Sequence, residues 1–325
     1  MGPSSTTSVP LRVTVVPEMA QAKFSDTLDI DHEHNVLYVG DNWSSGLDVF
    51  DLSTAEAKYV KTIGIRGRIY GVAVASDIDK VFVGLSGSRV AVIDISSGIN
   101  AINPVVAQID TGGDGHTDLL DYVPTHKALY AANRLDGFLV SIDAESHAII
   151  GRLEGLGSGL EQPRFNPADG MLYLTNNKAN VLYQIDPIAC TLVSTFSIED
   201  PCFPNGMAIN PATNRALLAC GNQDRPHTVI WDLAEQRIES IFEESGCGDG
   251  AIYEPTIDRF LFAAAGYATG PVMGVFGGTP VRFITNVPTT AKSSWVAYDR
   301  KNKVVYAPAN EEGRPALVSF RMPDL

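Results

Sequence analysis

"EQPRFNPADGMLYLTNN", residues 161–177, decides the fold. A short run from Glu161 to Asn166 meets a Pro-Ala-Asp-Gly turn, and a second, apolar run follows around Tyr173. That order is strand, turn, strand. The same shape recurs from end to end, in copies that open at Asp26, Tyr70, Asp118, Glu161, Asn205, Asp249 and Ser294, so the intervals are 44, 48, 43, 44, 44 and 45 residues. Twelve positions into each copy stands a large apolar or aromatic residue: Tyr38, Phe82, Tyr130, Tyr173, Leu217, Leu261 and Tyr306. The register therefore holds without gaps inside every copy.

A third run follows most copies and ends on aspartate, at Asp51, Asp94, Asp143, Asp186 and Asp232. Each precedes a polar turn, so these aspartates read as turn caps rather than as a functional series. A fourth run comes next, as in "KYVKTIGI" and "TLVSTFSI". Four short strands in every repeat of about 44 residues mark a β-propeller, one blade per copy.

The expected fold is all-β: a seven-bladed β-propeller of four-stranded blades, forming one domain over residues 11–325 behind a flexible N-terminus at 1–10. The seventh copy offers three strands, and "LRVTVVPE" (Leu11 to Glu18) is a strand without a blade. This N-terminal strand should complete the last blade and close the ring, hiding two edges at once.

Composition fits a turn-rich folded chain, with 45% hydrophobic and 19% charged residues, 29 Gly and 19 Pro in 325. A formal charge of -14 repels phosphate backbones and anionic membranes, so neither nucleic acid nor a membrane is an expected partner. No apolar run reaches the roughly 18 residues of a spanning helix. "MGPSSTTSVPLRV" lacks the apolar core of a secretory signal, yet a removed signal leaves the same appearance. Localisation stays open between the cytoplasm and a periplasmic or secreted site, and the oligomeric state is unspecified. Cys190, Cys202, Cys220 and Cys247 show no zinc-type spacing. Three of them, Cys202, Cys220 and Cys247, fall on one quarter of one face, where two could pair.

In a propeller the innermost strand of each blade lines the central channel. The seven opening residues therefore form a ring at its mouth, four of them carboxylates and one an amide. Packing alone selects small or apolar residues there. Carboxylates crowded together need a cation, raised pKa values or water, so the ring reads as a Ca²⁺ or Mg²⁺ site, a solvated acidic channel, or a site for an organic ligand. His116, two residues before Asp118, could shuttle a proton beside it. Arg68 and Lys292 occupy the same offset in other copies, pairing with the ring or receiving an anionic group, and Trp43 stands at a strand end.

At "LEQPRFNPADGMLYLTN", "FPNGMAINPATNRALLAC" and "GDGAIYEPTIDRFLFAAA" the chain resembles the senescence-marker-protein (SMP-30)/gluconolactonase propeller family. That resemblance implies that Glu161, Asn205 and Asp249 bind a divalent cation which polarises a lactone or ester carbonyl. The family has six blades, and its motif has Gly where Gln162 stands here. The blade pattern itself, "LYVGDN" and "LYAANR", is similar to YVTN-repeat seven-bladed propellers.

The leading expectation is thus a metal-dependent hydrolase of a small-molecule lactone or ester. Asp118 and His116 would be its catalytic pair, and Asp26, Trp43, Arg68, Tyr70, Gln162, Lys292 and Ser294 its substrate contacts. Two alternatives stand beside it: a lyase, isomerase or cyclase on the same face, and a binding or scaffold propeller without chemistry.

Overall fold

The computed structural model describes residues 12–15, 25–42, 45–102, 104–290, 293–311 and 314–321. Trp43 and Lys292 lie outside these residues, as do residues 1–11 and the side chain of Asp26. The fold is all-β, seven sheets of four antiparallel strands in a propeller arrangement. The innermost strands are Ser25–Asp31, Ile69–Ala75, Thr117–Val123, Leu160–Asn166, Pro204–Asn210, Ala251–Glu254 and Ala297–Asp299. Successive inner strands pack side by side, and the last meets the first, so the ring closes.

Closure is made by strand exchange between the two ends of the chain. Arg12–Val15 pairs antiparallel with Arg314–Arg321, Arg12 opposite Ser319, and so supplies the outermost strand of the blade that begins at Ala297. The N-terminal strand is where the repeat count required it; Leu11 and residues 16–18 of the expected stretch lie outside the described residues. Its ladder hydrogen bonds couple the first blade to the last, so neither can fray alone.

Every residue twelve positions into a copy is buried, from Tyr38 at 3% exposure to Phe82, Tyr173 and Tyr306 at 0%. They sit in the second strand of each blade, where blades press face to face. The tyrosines reach partners with their hydroxyls: Tyr130 to the Pro187 carbonyl at 3.2 Å, Tyr173 to Asp169 at 2.7 Å and Tyr306 to the Ala55 carbonyl at 3.1 Å. A buried phenol needs such an acceptor. The core is divided accordingly into clusters between neighbouring blades, such as Tyr38 and Val49 with Val72 and Val83.

The five strand-end aspartates cap turns as expected. Asp51 accepts from the Ser53 N–H at 2.7 Å, Asp94 from Ser96 at 2.9 Å, Asp186 from Ile188 at 2.9 Å and Asp232 from Ala234 at 3.0 Å, with Asp143 doing the same for Ser146 at 2.6 Å. Cys202 and Cys220 form a disulfide, across the register pair of Pro204 and Cys220, while Cys190 and Cys247 are free.

Candidate functional site

The inner strands begin at the face that carries the blade-to-blade loops, called here the near mouth. In the first five blades the pairing slips immediately after the strand's first residue, between Ser25 and Thr27, Ile69 and Gly71, Thr117 and Leu120, Leu160 and Pro163, and Pro204 and Met207. One extra residue is inserted each time, a β-bulge, and bulges re-aim side chains. The bulged stretches contain Asp26, Tyr70, Asp118, Glu161 and Asn205. The ring positions are thus set apart by backbone geometry as well as by residue type.

The bulge brings neighbouring backbones into contact. A Cβ on Gly71 would lie 2.2 Å from the Asp118 carbonyl oxygen, and one on Gly206 only 1.9 Å from that of Asp249, so only glycine fits after Tyr70 and Asn205. In the fourth blade Gln162 takes this place and turns it into a strut. It is fully buried; its Oε1 accepts from the Met207 N–H at 2.7 Å, its Nε2 reaches the Ala251 carbonyl at 3.5 Å, and its own N–H donates to Thr175 Oγ1 at 3.1 Å. Gln162 ties three blades together, which corrects its expected role as a substrate contact: no part of it faces solvent.

Two residues absent from the sequence reading organise the mouth. Arg134 follows the strand Ala128–Asn133 and extends Nη1 to Glu161 Oε1 at 2.6 Å and to Asp118 Oδ2 at 3.1 Å. Asn177 follows the strand Met171–Asn176, and its Nδ2 donates to Glu161 Oε1 at 2.5 Å and to Asn205 Oδ1 at 3.0 Å. Both stand sixteen residues after a ring position, 118 to 134 and 161 to 177, so the repeat register held the signal. Burial works against the charge on Arg134, yet Glu161, Asp118 and Asp249 together push its pKa above the ordinary guanidinium value.

Of the expected residues, Asp118, Glu161, Asn205 and Asp249 thus come to one opening, with His116 and Tyr70 beside them. The His116 ring stacks on Tyr70 at 4.1 Å with 17° between planes, and its Nε2 is 3.5 Å from Asp118 Oδ2. Arg68 is exposed on the rim, its backbone N–H donating to Ser86 Oγ at 3.1 Å. Ser294 is buried at 5% exposure, its carbonyl accepting from Gly250 at 2.8 Å.

A hard cation needs several carboxylate and carbonyl oxygens converging at about 2.4 Å. Here Glu161 Oε1 and Asn205 Oδ1 already accept N–H donors, and the amide nitrogen of Asn205 donates to the Gly248 carbonyl at 3.0 Å. The Arg134 guanidinium is a counter-charge for these acids. A cation held by Glu161, Asn205 and Asp249 would have to displace the Arg134 guanidinium and the Asn177 amide from Glu161 Oε1 and Asn205 Oδ1. Among the described residues, the grouping of His, Cys, Asp or Glu close enough to share an ion is elsewhere, at Cys202, Cys220 and His227.

No family model matches the chain, and no curated protein matches it. Solved structures do. A chain of "Crystal Structure of Mitotic Checkpoint Complex" superposes with TM-score 0.79 at 16% identity, covering 100% of this chain and 95% of its own. "Structure of U3-55K" gives 0.75 at 8% identity, covering 96% and 98%, and "Crystal structure of RRP9 WD40 repeats" gives 0.75 at 8%, covering 96% and 97%. At such identities the likeness is one of fold. These neighbours, one of them described as WD40 repeats, lend no support to the resemblance to the gluconolactonase family. The expected small-molecule substrate is corrected on the same ground: one such neighbour is part of a checkpoint complex, and this chain is similar to it over its whole length.

Proposed function

We propose that this chain is a protein-binding propeller that docks a partner over its near mouth. The observation that carries the reading is Phe203. It is 41% exposed and holds φ at +50°, a left-handed conformation that costs a bulky L-residue about 1–2 kcal/mol. The left-handed backbone itself belongs to the repeat, since Gly159 and Cys247 hold it at the same offset before Glu161 and Asp249; of these three, Phe203 alone puts a large apolar ring into solvent there. Its N–H donates to Asn180 Oδ1 at 2.7 Å, which fixes the loop that presents the ring.

Leu135, 51% exposed, follows Arg134 on the same face and supplies a second apolar contact. Between them lie Asp118, Glu161 and Asp249 around the Arg134 guanidinium, an acidic opening in a chain of net charge -14. Apolar anchors around an acidic centre suit a partner segment with a basic residue flanked by apolar ones. The whole-length likeness to a propeller from a checkpoint complex supports this reading.

Phe203→Gly separates binding from folding. Glycine accepts the positive φ, so thermal stability should hold or rise by about 1 kcal/mol, while partners recovered by quantitative affinity purification should be depleted about tenfold or more. An unchanged partner set with Phe203→Gly and Leu135→Asp combined overturns the reading.

A further inference from the structure

The inner strands carry a second column, three positions after each opening residue: Asp29, Ala73, Asp121, Arg164, Ala208, Ile252 and Ala297. It stands at one level around the axis. All but Ala208 line a cavity of about 240 Å³ at the far end of the channel, with alanine side chains leaving the room. Two positions closer to the near mouth, the column that contains Leu119, Gln162 and Trp295 fills the axis with buried side chains. Leu119 and Trp295 pack in one cluster with Leu28, and all three line the cavity. The far half of the channel is therefore a pocket with an apolar floor, cut off from the near mouth.

Its walls are short of positive charge. Three carboxylates, Asp29, Asp121 and Glu254, face two guanidiniums, Arg164 and Arg300. Both guanidiniums are engaged with the wall: Arg164 Nη1 lies 3.3 Å from Asp121 Oδ1 and 3.1 Å from the Pro163 carbonyl, and Arg300 Nε lies 3.1 Å from each oxygen of Glu254. His32 adds no charge at neutral pH, because burial and the Arg300 charge lower its pKa. Asp29 accepts the N–H groups of Ile30 and Val74, each at 2.8 Å, one on each oxygen. Each carboxylate oxygen has a second lone pair to offer.

Packing alone would place small or apolar residues at this level of the channel, as the repeat does with Ala73, Ala208, Ile252 and Ala297. Asp29 and Asp121 are held there against a desolvation cost. Burial raises the pKa of both, that of Asp29 to about 6, in spite of their N–H donors and Arg164.

We propose that the far half of the channel binds a small organic monocation, an alkylammonium whose head lies between Asp29 and Asp121 and whose apolar body rests on Leu119 and Trp295. An apolar cavity with a few convergent polar groups is the usual form of a small-molecule site. One positive charge balances the three carboxylates against the two guanidiniums. An ammonium also brings N–H donors for the remaining lone pairs of Asp29 and Asp121, whereas a hydrated metal ion would gain nothing from the apolar floor. The pocket is independent of partner docking at the near mouth, since the buried column of Leu119, Gln162 and Trp295 separates the two.

The test is isothermal titration calorimetry of the full chain with n-butylammonium chloride at low salt and about pH 7.5, where Asp29 is ionised. One equivalent should bind per chain with a Kd of about 1 mM or tighter, and n-butanol, which keeps the body but not the charge, should bind at least about tenfold more weakly. Asp29→Asn keeps the shape of the side chain and removes a buried charge, so the variant should fold and should bind butylammonium about tenfold more weakly. Asp121→Asn should weaken binding by a similar factor, because Arg164 then faces the ligand without its carboxylate. Asp143→Asn makes the same change of net charge at a turn on the outer part of blade three and should leave the Kd unchanged. Equal affinity for butanol overturns the proposal, as does an affinity that survives both Asp29→Asn and Asp121→Asn or falls equally with Asp143→Asn. Absence of saturable binding below about 20 mM overturns it too.

Discussion

The two ends of the channel solve one problem in different ways. At the near mouth two buried carboxylates, Asp118 and Glu161, share the guanidinium of Arg134. At the far mouth a cavity of about 240 Å³ is lined by Asp29, Asp121, Arg164, Glu254, Arg300 and His32 among others. There the acids are compensated separately. Arg164 approaches Asp121 at 3.3 Å and Arg300 makes two contacts of 3.1 Å to Glu254, whereas Asp29 has only the N–H groups of Ile30 and Val74, each at 2.8 Å. Asp29 is held by those two N–H groups, with the Arg164 charge acting on it more weakly and the Asp121 charge opposing. Burial pushes its pKa up to about 6 despite both N–H groups. Burial raises the pKa of Asp121 as well, although Arg164 stands 3.3 Å away and the Phe165 N–H donates to it, so a guanidinium opposes desolvation there without overcoming it.

Arg134→Met puts the most at stake in that contrast. It takes the Arg134 guanidinium from Glu161, which is 2% exposed, and removes a positive charge that Asp118 and Asp249 also feel. The expected loss is about 3 kcal/mol of stability in urea unfolding. Asn177 still donates to Glu161, so the figure sits at the low end for a broken buried pair. Adding Glu161→Gln should restore part of the loss, because the stranded charge goes with it. A loss under about 1 kcal/mol would mean that solvent, rather than Arg134, compensates the mouth.

Asp29→Asn tests the other remedy through pH. The folded-state value of Asp29, about 6, lies above the unfolded value near 3.8, so the native protein binds this proton more tightly. Stability is then highest with the group protonated and falls as pH rises from about 4 to 6, by up to about 3 kcal/mol. Asp48, raised by burial to about 7, titrates in an overlapping range, so the informative quantity is the difference between variant and parent. The parent should lose stability across pH 4–6 faster than Asp29→Asn by about 1.4 kcal/mol per pH unit. Parallel curves in urea titrations at several pH values would show that Asp29 keeps an ordinary pKa.

The same contrast explains what the sequence disclosed. The repeat register gave the blade count, the closing strand, the buried aromatic series and the turn-capping aspartates, since each follows from periodicity and local turn chemistry. It also placed Asp118, Glu161, Asn205 and Asp249 at one opening. What it withheld was the compensation. Arg134 and Asn177 lie at strand ends, sixteen residues after ring positions, and the column they belong to reads Asn42, Ser86, Arg134, Asn177, Gly221, Ala265, Asn310. No composition rule singles out that column; only the convergence of second strands on the near mouth does so. Without Arg134 in view, carboxylates in a ring invite a metal. Gln162 misled in a similar way, because a bulge carries its side chain into the axis rather than to the opening.

Arg300→Met carries the smallest expected effect and sharpens the contrast most finely. Glu254 is 3% exposed, but it also accepts the Thr256 N–H at 3.0 Å and the Thr256 hydroxyl at 2.6 Å. Arg300 itself is 46% exposed, so water shares its charge in the parent and reaches Glu254 once the guanidinium is gone. The expected loss is about 1 kcal/mol, a third of that for Arg134→Met, and it should shrink further in high salt. His32 gives an internal readout of the same substitution. Its pKa is lowered by burial first and by the Arg300 charge second, so Arg300→Met should move its titration upward in a proton NMR series. If Arg300→Met costs as much as Arg134→Met while His32 does not shift, then Arg300 acts through packing of its stem and not through charge, and the division between a shared and a separate guanidinium loses its basis.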